Sequence, residues 1–285
     1  MSAVTTRRLP RLWWLGAAVL VLLAISVLRV VTGAEDLASS GTVRATLIAL
    51  VPIMLAGLGG LWSERAGVVN IGLEGMMVLG TYGAGYFGYH YGAWAGVAGA
   101  LLMGAIGGLI HATATVVFGV DHIISGVAIN IIAVGAVQYL AALTFVGLPG
   151  GGQTQSPKLD NVGSITIGPL SDALGEVEGQ NIFFVSELAA VARALVTNLS
   201  LLVVLAFVLL FVTYWVLWRT SFGLRLRSTG ESPSAAESLG VAVLRYKFIA
   251  VLISGALAGL AGGFLAMVAS SNYRDGQTGE YRSLS

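Results

Sequence analysis

The sequence has no cysteine and few charged residues. The absence of cysteine from all 285 residues excludes disulfides, thiol catalysis and cysteine-ligated metals. Only 10% of the residues are charged, against about 25% in soluble domains. With 56% hydrophobic residues and a mean hydropathy of +0.86, the composition predicts a membrane protein with several spans. A net charge of +1 gives no basic bias, so we expect no nucleic-acid partner.

Histidines are also scarce. His90, His111 and His122 lack the spacing that a metal site requires, so we expect no metal and interpret them as interfacial or packing residues.

Seven apolar runs are long enough to cross about 30 Å of hydrocarbon. Lipid-exposed strands would leave backbone groups unpaired, so we expect helices. The predicted fold class is all-α, a polytopic transmembrane helix bundle of about seven spans in a single domain, 1–285. The runs are 12–31, 43–61, 71–89, 93–118, 123–146, 199–218 and 248–269.

Charge predicts the orientation of the chain. Arg7, Arg8 and Arg11 precede the first run and place the N-terminus in the cytoplasm. A secretory signal is the alternative, but the run exceeds the usual signal core of about 7–15 residues, which favours an uncleaved anchor. Crossings then put loop 147–198, with two bases and five acids, outside, and loop 219–247, with five bases and two acids, inside.

The segment 63–77 places two acids, a base and an amide between two apolar runs. Ionisable groups near hydrocarbon persist mostly where they line a cavity or a pathway, which favours a transport path. A solvated cytoplasmic turn is the alternative. Interhelical hydrogen bonding is the alternative for each candidate pathway residue, because amides and carboxylates serve either purpose. The candidates are Asn70, Glu74, Asn130 and Tyr82, with Gln138 and Tyr86 as further possibilities.

The segment 230–240 predicts a short helix at 233–239 with both ends marked. Ser232 suits an N-cap, Pro233 the first helical position and Gly240 a left-handed termination. Two turns need tertiary or partner packing to be stable, so the helix is expected to dock on its own spans or on another subunit. The candidate docking residues are Glu231, Pro233, Ala235, Ala236, Glu237 and Gly240.

Glycines at four-residue spacing indicate close helix packing. The sequence has 39 glycines, and small residues let membrane helices approach each other closely. Gly255, Gly259 and Gly263 form one predicted packing face of the last run. Two further faces are Gly96, Ala100, Gly104 and Gly108, and Gly80, Ala84 and Gly88.

Segments 63–77, 123–130 and 230–240 resemble permease subunits of bacterial ABC-type importers for nucleosides and simple sugars, within the branched-chain amino acid and ribose permease superfamily. The resemblance covers roughly 43–268. The matching residues of the first segment are Glu64, Arg65, Gly67, Val68, Asn70, Ile71, Gly72, Glu74 and Gly75.

The resemblance implies a permease in a bacterial inner membrane, in contact with lipid. Such a subunit pairs with a second permease subunit as a homo- or heterodimer, with ATP-binding cassette subunits and with an extracytoplasmic substrate-binding protein. The helix at 233–239 would then be the coupling helix. The chain has no phosphate-binding loop, since Leu and Phe follow its only lysines, Lys158 and Lys247. We therefore expect no enzyme activity and no cofactor of its own, with ATP used by partners.

Nucleosides are the favoured substrate, because the 64–75 pattern matches that subfamily. A simple-sugar ABC permease and an ion-coupled secondary carrier are alternatives, and a structural or assembly protein is a third. Family members continue with further spans after the segment that matches 248–268. This chain turns polar at 270–276, and we expect it to be shortened at the C-terminus.

Overall fold

The computed structural model describes residues 13–278 and is mainly helical there. The helices are α1 (Trp13–Thr32), α2 (Ser40–Arg65), α3 (Leu73–Tyr91), α4 (Ala93–Ala112), α5 (His122–Thr144), α6 (Gly168–Gly179), α7 (Val185–Val196), α8 (Leu201–Arg219), α9 (Ser221–Glu231), α10 (Pro233–Ser238) and α11 (Val243–Phe264). The remaining elements are a 3₁₀ turn (Glu35–Ala38), π-helical turns after α4 (Thr113–Val117) and α11 (Leu265–Ala269), and two short strands, β1 (Ser164–Ile165) and β2 (Leu199–Ser200).

A helix covers each of the seven apolar runs. Within the described residues five helices are long and apolar enough to cross a membrane, namely α2, α4, α5, α8 and α11. The apolar part of α1 is shorter, and α3 contains Glu74 together with several glycines and tyrosines. The prediction of an all-α membrane protein is confirmed. The count of seven spans stays a prediction, as does the side of the N-terminus, whose arginines at 7, 8 and 11 lie outside the described residues.

The chain forms two compact units. The first contains the described residues 13–47 and 164–199. In it α7 packs against α6 and α1, and charged side chains make the connections. The Nε of Arg29 lies 2.9 Å from Glu187 Oε1 in an ion pair. The Nη1 of Arg29 donates a hydrogen bond to Asn181 Oδ1 at 3.1 Å. The Pro-Gly-Gly-Gly run at 149–152 and the many polar residues of loop 147–198 predict an irregular or partly helical segment. The structure gives this loop two helices of 12 residues each.

The second unit contains residues 48–163 and 200–278, and its core is the mutual packing of α3, α4 and α11. Of these, α11 is the most deeply buried span, because 72% of the residues in its most apolar 18-residue stretch are buried inside the protein. The short join between the runs 71–89 and 93–118 predicts a tight helical hairpin. In the structure this join is a single residue, Gly92, whose φ of +90° allows the reversal from α3 to α4.

The 219–247 loop is more helical than its sequence indicates. In addition to the predicted short helix it contains α9, and α11 begins at Val243, five residues before the predicted start. The N-cap of α9 is Thr220, whose hydroxyl accepts a hydrogen bond from the Gly223 N–H at 3.1 Å. Sequence reasoning missed α9 because its two arginines and two glycines interrupt any apolar periodicity.

Candidate substrate pathway and docking helix

The segment between Arg65 and Leu73 is a non-helical break between α2 and α3. Gly67 has φ of +78°, a conformation that residues with a Cβ rarely adopt. A Cβ at this position would also lie 3.0 Å from the Cα of Gly230. The 63–77 motif and the end of α9 therefore meet backbone to backbone, and this contact explains the glycines at both positions.

Asn70 holds the break from inside. Its side chain is 6% exposed, Nδ2 donates to Ser254 Oγ at 2.9 Å, and Oδ1 accepts from the Gly72 N–H at 3.0 Å. Both polar atoms of the amide are used within the chain. The role of Asn70 in substrate binding stays a prediction, and its visible contacts are those of a link between the break and α11.

Asn130 holds the other side of the break. From α5 its Nδ2 donates to the Ile71 carbonyl oxygen at 3.1 Å, and its Oδ1 accepts from the Gly75 N–H at 2.7 Å. The first turn of a helix leaves N–H groups without partners, so Asn130 satisfies one such group at the start of α3. A pathway role for Asn130 likewise stays a prediction.

Two histidines that sequence reasoning treated as packing residues also contact the break. The Val69 N–H donates to His122 Nδ1 at 3.3 Å, and the Val69 carbonyl oxygen lies 3.4 Å from His111 Nε2. The other ring nitrogen of His111 lies 2.9 Å from Ser125 Oγ. The sequence offered one indication of such a contact, because His111 lies inside an apolar run.

Glu74 lies at the edge of a polar cavity. The side chain is exposed and lines a cavity of about 260 Å³ together with Gln138 of α5 and Asp275. Gln138 Nε2 donates to Asp275 Oδ2 at 2.9 Å. The structure therefore brings Glu74 and Gln138 together, and it adds Asp275, which sequence reasoning placed in a polar tail.

The polar side chains that line this cavity mainly accept hydrogen bonds. Its polar lining consists of two carboxylates, the Gln138 amide and the Thr278 hydroxyl, beside the apolar Val78 and Val134, and no basic residue lines it among the described residues. Carboxylates accept hydrogen bonds from hydroxyl and amino groups, whereas they repel anions. The cavity therefore disfavours anions and suits a neutral or cationic solute with hydrogen-bond donors.

Tyr82 lies apart from the lining of this cavity. It is 6% exposed and packs with Phe145, Tyr86 and Tyr273, whose ring centroids are 5.8, 6.1 and 6.5 Å from its own. These contacts make Tyr82 part of an aromatic cluster between α3, the end of α5 and the segment after α11. A role of Tyr82 in the substrate pathway stays a prediction.

The predicted docking helix is present as α10. Pro233 occupies its first position, and Gly240 follows it with φ of +80°. The Gly240 N–H donates to the Glu237 carbonyl oxygen at 2.9 Å, and the Val241 N–H donates to that of Ala236 at 3.0 Å. These two bonds form the glycine-terminated helix end that the sequence predicts. The predicted Ser232 cap is wrong in one respect, because its side chain makes no capping hydrogen bond.

Only one residue of α10 is buried. Ala236 is 3% exposed and packs within the chain, whereas Pro233, Ala235 and Glu237 are exposed. Glu231, before the helix, and Gly240, after it, are exposed as well. The alanines therefore separate into one internal contact, Ala236, and one free surface position, Ala235.

The predicted packing glycines of α11 lie where this helix crosses α4. A Cβ on Gly255 would lie 2.6 Å from the Gly108 Cα, and one on Gly259 would lie 2.6 Å from the Gly104 Cα. A Cβ on Gly263 would collide with the Ala100 side chain. Real Cβ atoms do not approach this closely, so each of these positions requires glycine.

Comparison with known proteins places residues 42–279 in the family described as branched-chain amino acid transport system / permease component. The guanosine ABC transporter permease protein NupQ of Bacillus subtilis (strain 168) is 36% identical over 238 residues, which are 79% of this chain and 66% of that protein. The nucleoside ABC transporter permease protein NupC of Lactococcus lactis subsp. cremoris (strain MG1363) is 33% identical over 80% of this chain and 67% of its own length.

A third relative carries another substrate in its name. The putative glucose ABC transporter permease protein TsgC13 of Haloferax volcanii is 30% identical over 84% of this chain and 67% of that protein. The chain thus spans about two thirds of the length of these relatives. No solved structure matches it. The family match and the five apolar helices agree with each other: the chain is a multi-pass integral membrane protein that belongs to the branched-chain amino acid transport system permease family.

Proposed function

We propose that this chain is a membrane-spanning permease subunit of an ABC importer for nucleosides, driven by separate ATP-binding subunits. The chain contains no phosphate-binding loop of its own, so hydrolysis takes place on the partners. A second permease subunit completes the pathway, and an extracytoplasmic binding protein delivers the solute. The chain crosses the inner membrane seven times from a cytoplasmic N-terminus, with 147–198 outside and 219–247 inside.

The observation that carries this proposal is the surface of α10. A helix of six residues contributes little stability of its own, yet it has defined ends and presents every residue except Ala236 to the outside. A short rigid helix held by one buried residue is suited to fit a groove on another subunit. An ion-coupled secondary carrier has no use for such a helix, because it has no ATPase to engage.

The end of α9 gives the docking helix a route to the pathway. Gly230 contacts Gly67 in the break before α3, while Asn130 and Asn70 tie the same break to α5 and α11. Movement of α10 is therefore passed through α9 to the start of α3. Glu74 stands on the first turn of α3, so the cavity with Asp275 and Gln138 changes shape when that turn moves.

A nucleoside fits the character of the cavity. Its ribose hydroxyls and base amino groups are donors, and it is uncharged, which suits a lining of two carboxylates and an amide. Two relatives are named for guanosine and for nucleosides. A simple sugar is the second candidate, because a sugar is also a neutral polyol and a third relative is named for glucose.

Docking is tested by replacing Ala235 with Arg. The side chain of Ala235 is exposed, so the variant is expected to fold normally while its bulk and charge prevent a groove from closing on α10. Co-purification with the ATP-binding subunit should fall at least tenfold. Ser221→Arg, an exposed position at the start of α9, is the matched control and should retain the partner. Undiminished co-purification of the Ala235 variant contradicts the proposal.

Transport is tested in proteoliposomes of the complete complex supplied with ATP and no ion gradient. Labelled guanosine and labelled glucose are compared as substrates, and guanosine uptake should exceed glucose uptake. Glu74→Gln removes one charge from the cavity and keeps its shape, so uptake should fall while the amount of protein in the membrane stays constant. Full uptake by this variant removes Glu74 from the pathway, and uptake that needs an ion gradient rather than ATP supports a secondary carrier.

A further inference from the structure

A basic cavity lies at the start of α11, away from the candidate substrate cavity. It has a volume of about 370 Å³, and Arg225, Arg245 and Tyr246 supply its polar lining. Phe222 and Leu239 add apolar walls. The Arg225 Nη1 donates to Tyr246 Oη at 3.4 Å, which directs this guanidinium toward the tyrosine hydroxyl. The cavity thus combines two positive charges with a hydroxyl group and apolar walls.

The basic cavity continues into an apolar groove. Arg245 and Ile249 line both, and the groove, of about 440 Å³, extends along Leu244, Phe248 and Val117. Leu244 is 66% exposed and Val117 is 62% exposed. Val117 stands at the end of the π-helical turn after α4, so the groove runs between the ends of two membrane-spanning helices.

The charges of this site are not neutralised by the protein. Neither Arg225 nor Arg245 forms an ion pair with a described carboxylate, and within residues 13–278 no acidic residue lines the cavity or the groove. Both side chains are exposed. Two guanidinium groups without a carboxylate partner, in a cavity that continues into an apolar groove, suit a ligand that is anionic at one end and hydrocarbon at the other.

We propose that this cavity and groove bind an anionic phospholipid, with the phosphate between Arg225 and Arg245 and an acyl chain along Leu244 and Phe248. Guanidinium groups bind phosphate oxygens in pairs, and basic pockets between helices on the cytoplasmic side are suited to anionic headgroups. The predicted orientation places this site at the cytoplasmic leaflet. The ligand is a lipid rather than free phosphate because the apolar groove would have no function for an inorganic ion.

The proposal does not depend on the transported substrate. The site also adjoins the docking helix, since Leu239 and Gly240 line the cavity. A bound lipid would thereby hold the end of α10 against the start of α11. A partner protein that occupies the same cavity is the competing interpretation, and the experiment separates the two.

The test is native mass spectrometry of the purified full chain in detergent, titrated with phosphatidylglycerol or phosphatidylcholine. The wild type should bind phosphatidylglycerol more tightly than phosphatidylcholine. A basic side chain near an anionic headgroup contributes on the order of 1 kcal/mol, so each arginine should raise the ratio of the two affinities about fivefold, and both together roughly 30-fold. Arg225→Gln combined with Arg245→Gln should abolish the preference. Arg219→Gln is the matched control: Arg219 is exposed and basic, lies in the same loop and lines neither cavity, so the preference should persist.

Leu244→Gln tests the groove. The leucine is largely exposed, so the variant should fold, and it should weaken binding of long-chain phosphatidylglycerol several-fold. Inorganic phosphate at tenfold excess should not displace the lipid. Equal affinity for both lipids, a preference that survives in the double arginine variant, or displacement by inorganic phosphate would each overturn the proposal. So would loss of the lipid on addition of the ATP-binding subunit, because the cavity would then be a protein contact.

Discussion

The two units hold their helices together by opposite means. In the second unit α4 and α11 approach until Gly104 and Gly259 touch through their backbones. In the first unit charged side chains join the elements, with the Arg29 and Glu187 pair buried and the Arg193 Nη1 at 2.9 Å from Glu178 Oε2. The contact between α4 and α11 leaves no room for side chains, whereas the contacts of α7 in the first unit depend on them.

The two kinds of contact stabilise the protein through different physical effects. Lipid tails are as apolar as leucine, so membrane helices gain little from hydrophobic burial against each other and associate through close packing. A buried ion pair has to offset the desolvation of two charges, and its stability depends on both partners. Glu187 is 1% exposed, and neither of its oxygens accepts a well-aligned hydrogen bond, so Arg29 is the compensation that the described residues provide.

Breaking the buried pair has the largest expected effect. Arg29→Met leaves Glu187 buried without a countercharge, which should lower the free energy of unfolding by about 3–5 kcal/mol. The measurement is a denaturant titration of the purified protein in detergent. Arg29→Met combined with Glu187→Met replaces both charges by apolar groups and should recover most of the loss. A double variant no more stable than the single one contradicts this account.

The next largest effect on stability is expected when a methyl group is added where α4 and α11 are in backbone contact. Gly259→Ala places a Cβ at 2.6 Å from the Gly104 Cα, and backbone atoms cannot rotate away as side chains do. Overpacking of this kind typically costs about 1–3 kcal/mol. Thermal unfolding and the amount of folded protein in the membrane should both decrease. An unchanged melting temperature would show that α4 and α11 are not held at this distance.

The second ion pair should give a smaller effect that depends on pH. Burial by itself raises the pKa of the Glu178 carboxyl, but hydrogen bonds from the Ser40 N–H and from Arg193 together lower it below its ordinary value of 4.5. A lowered pKa means that the carboxylate stabilises the fold above pH 4.5 and that this contribution is lost as the pH falls through the lowered pKa. Glu178→Gln should cost about 1 kcal/mol or less at pH 7.

The measurement for this pair is the difference in unfolding free energy between wild type and Glu178→Gln across pH 3 to 7. It should shrink as the solution becomes acidic. A difference that is constant over this range would mean that the charge of Glu178 contributes nothing.

The smallest effect on stability is expected at a glycine whose surroundings leave space for a methyl group. A Cβ on Gly57 of α2 would meet no atom within 4 Å, so Gly57→Ala should leave stability unchanged or raise it by up to about 1 kcal/mol. It is the matched control for Gly259→Ala, since both add one methyl group to a helix. If both substitutions destabilise equally, helix propensity rather than close packing explains the glycines.

The sequence predicted the local features of this protein well. Each apolar run forms a helix, Gly92 reverses the chain between two of them, and α10 begins at Pro233 and ends before Gly240. These features depend on hydropathy, on φ and on hydrogen bonds between near neighbours, all of which can be derived from a short stretch of residues. The docking helix was predictable for the same reason.

The polar contacts could not be predicted. Asn70 donates to a serine 184 residues away, and Gln138 donates to an aspartate 137 residues away. An amide has the same chemistry whether it binds a solute or a neighbouring helix. The sequence therefore identified Asn70 and Asn130 as important polar groups. It could not show that Asn70 links the break before α3 to Ser254 of α11, or that Asn130 bonds to Ile71 in the break and to Gly75 in the first turn of α3.

Hydropathy, glycine spacing and the marked ends of α10 depend on residues close together in the chain, so the sequence by itself determined the membrane class, the helices of the apolar runs and the short helix α10. Only the tertiary structure decided that Ala236 is buried while Ala235 is exposed, that Asp275 joins Glu74 at one cavity, and that Arg225 and Arg245 line one cavity that continues into an apolar groove. The physical reason is that burial and polar pairing depend on which distant segments the packing of α3, α4 and α11 brings together.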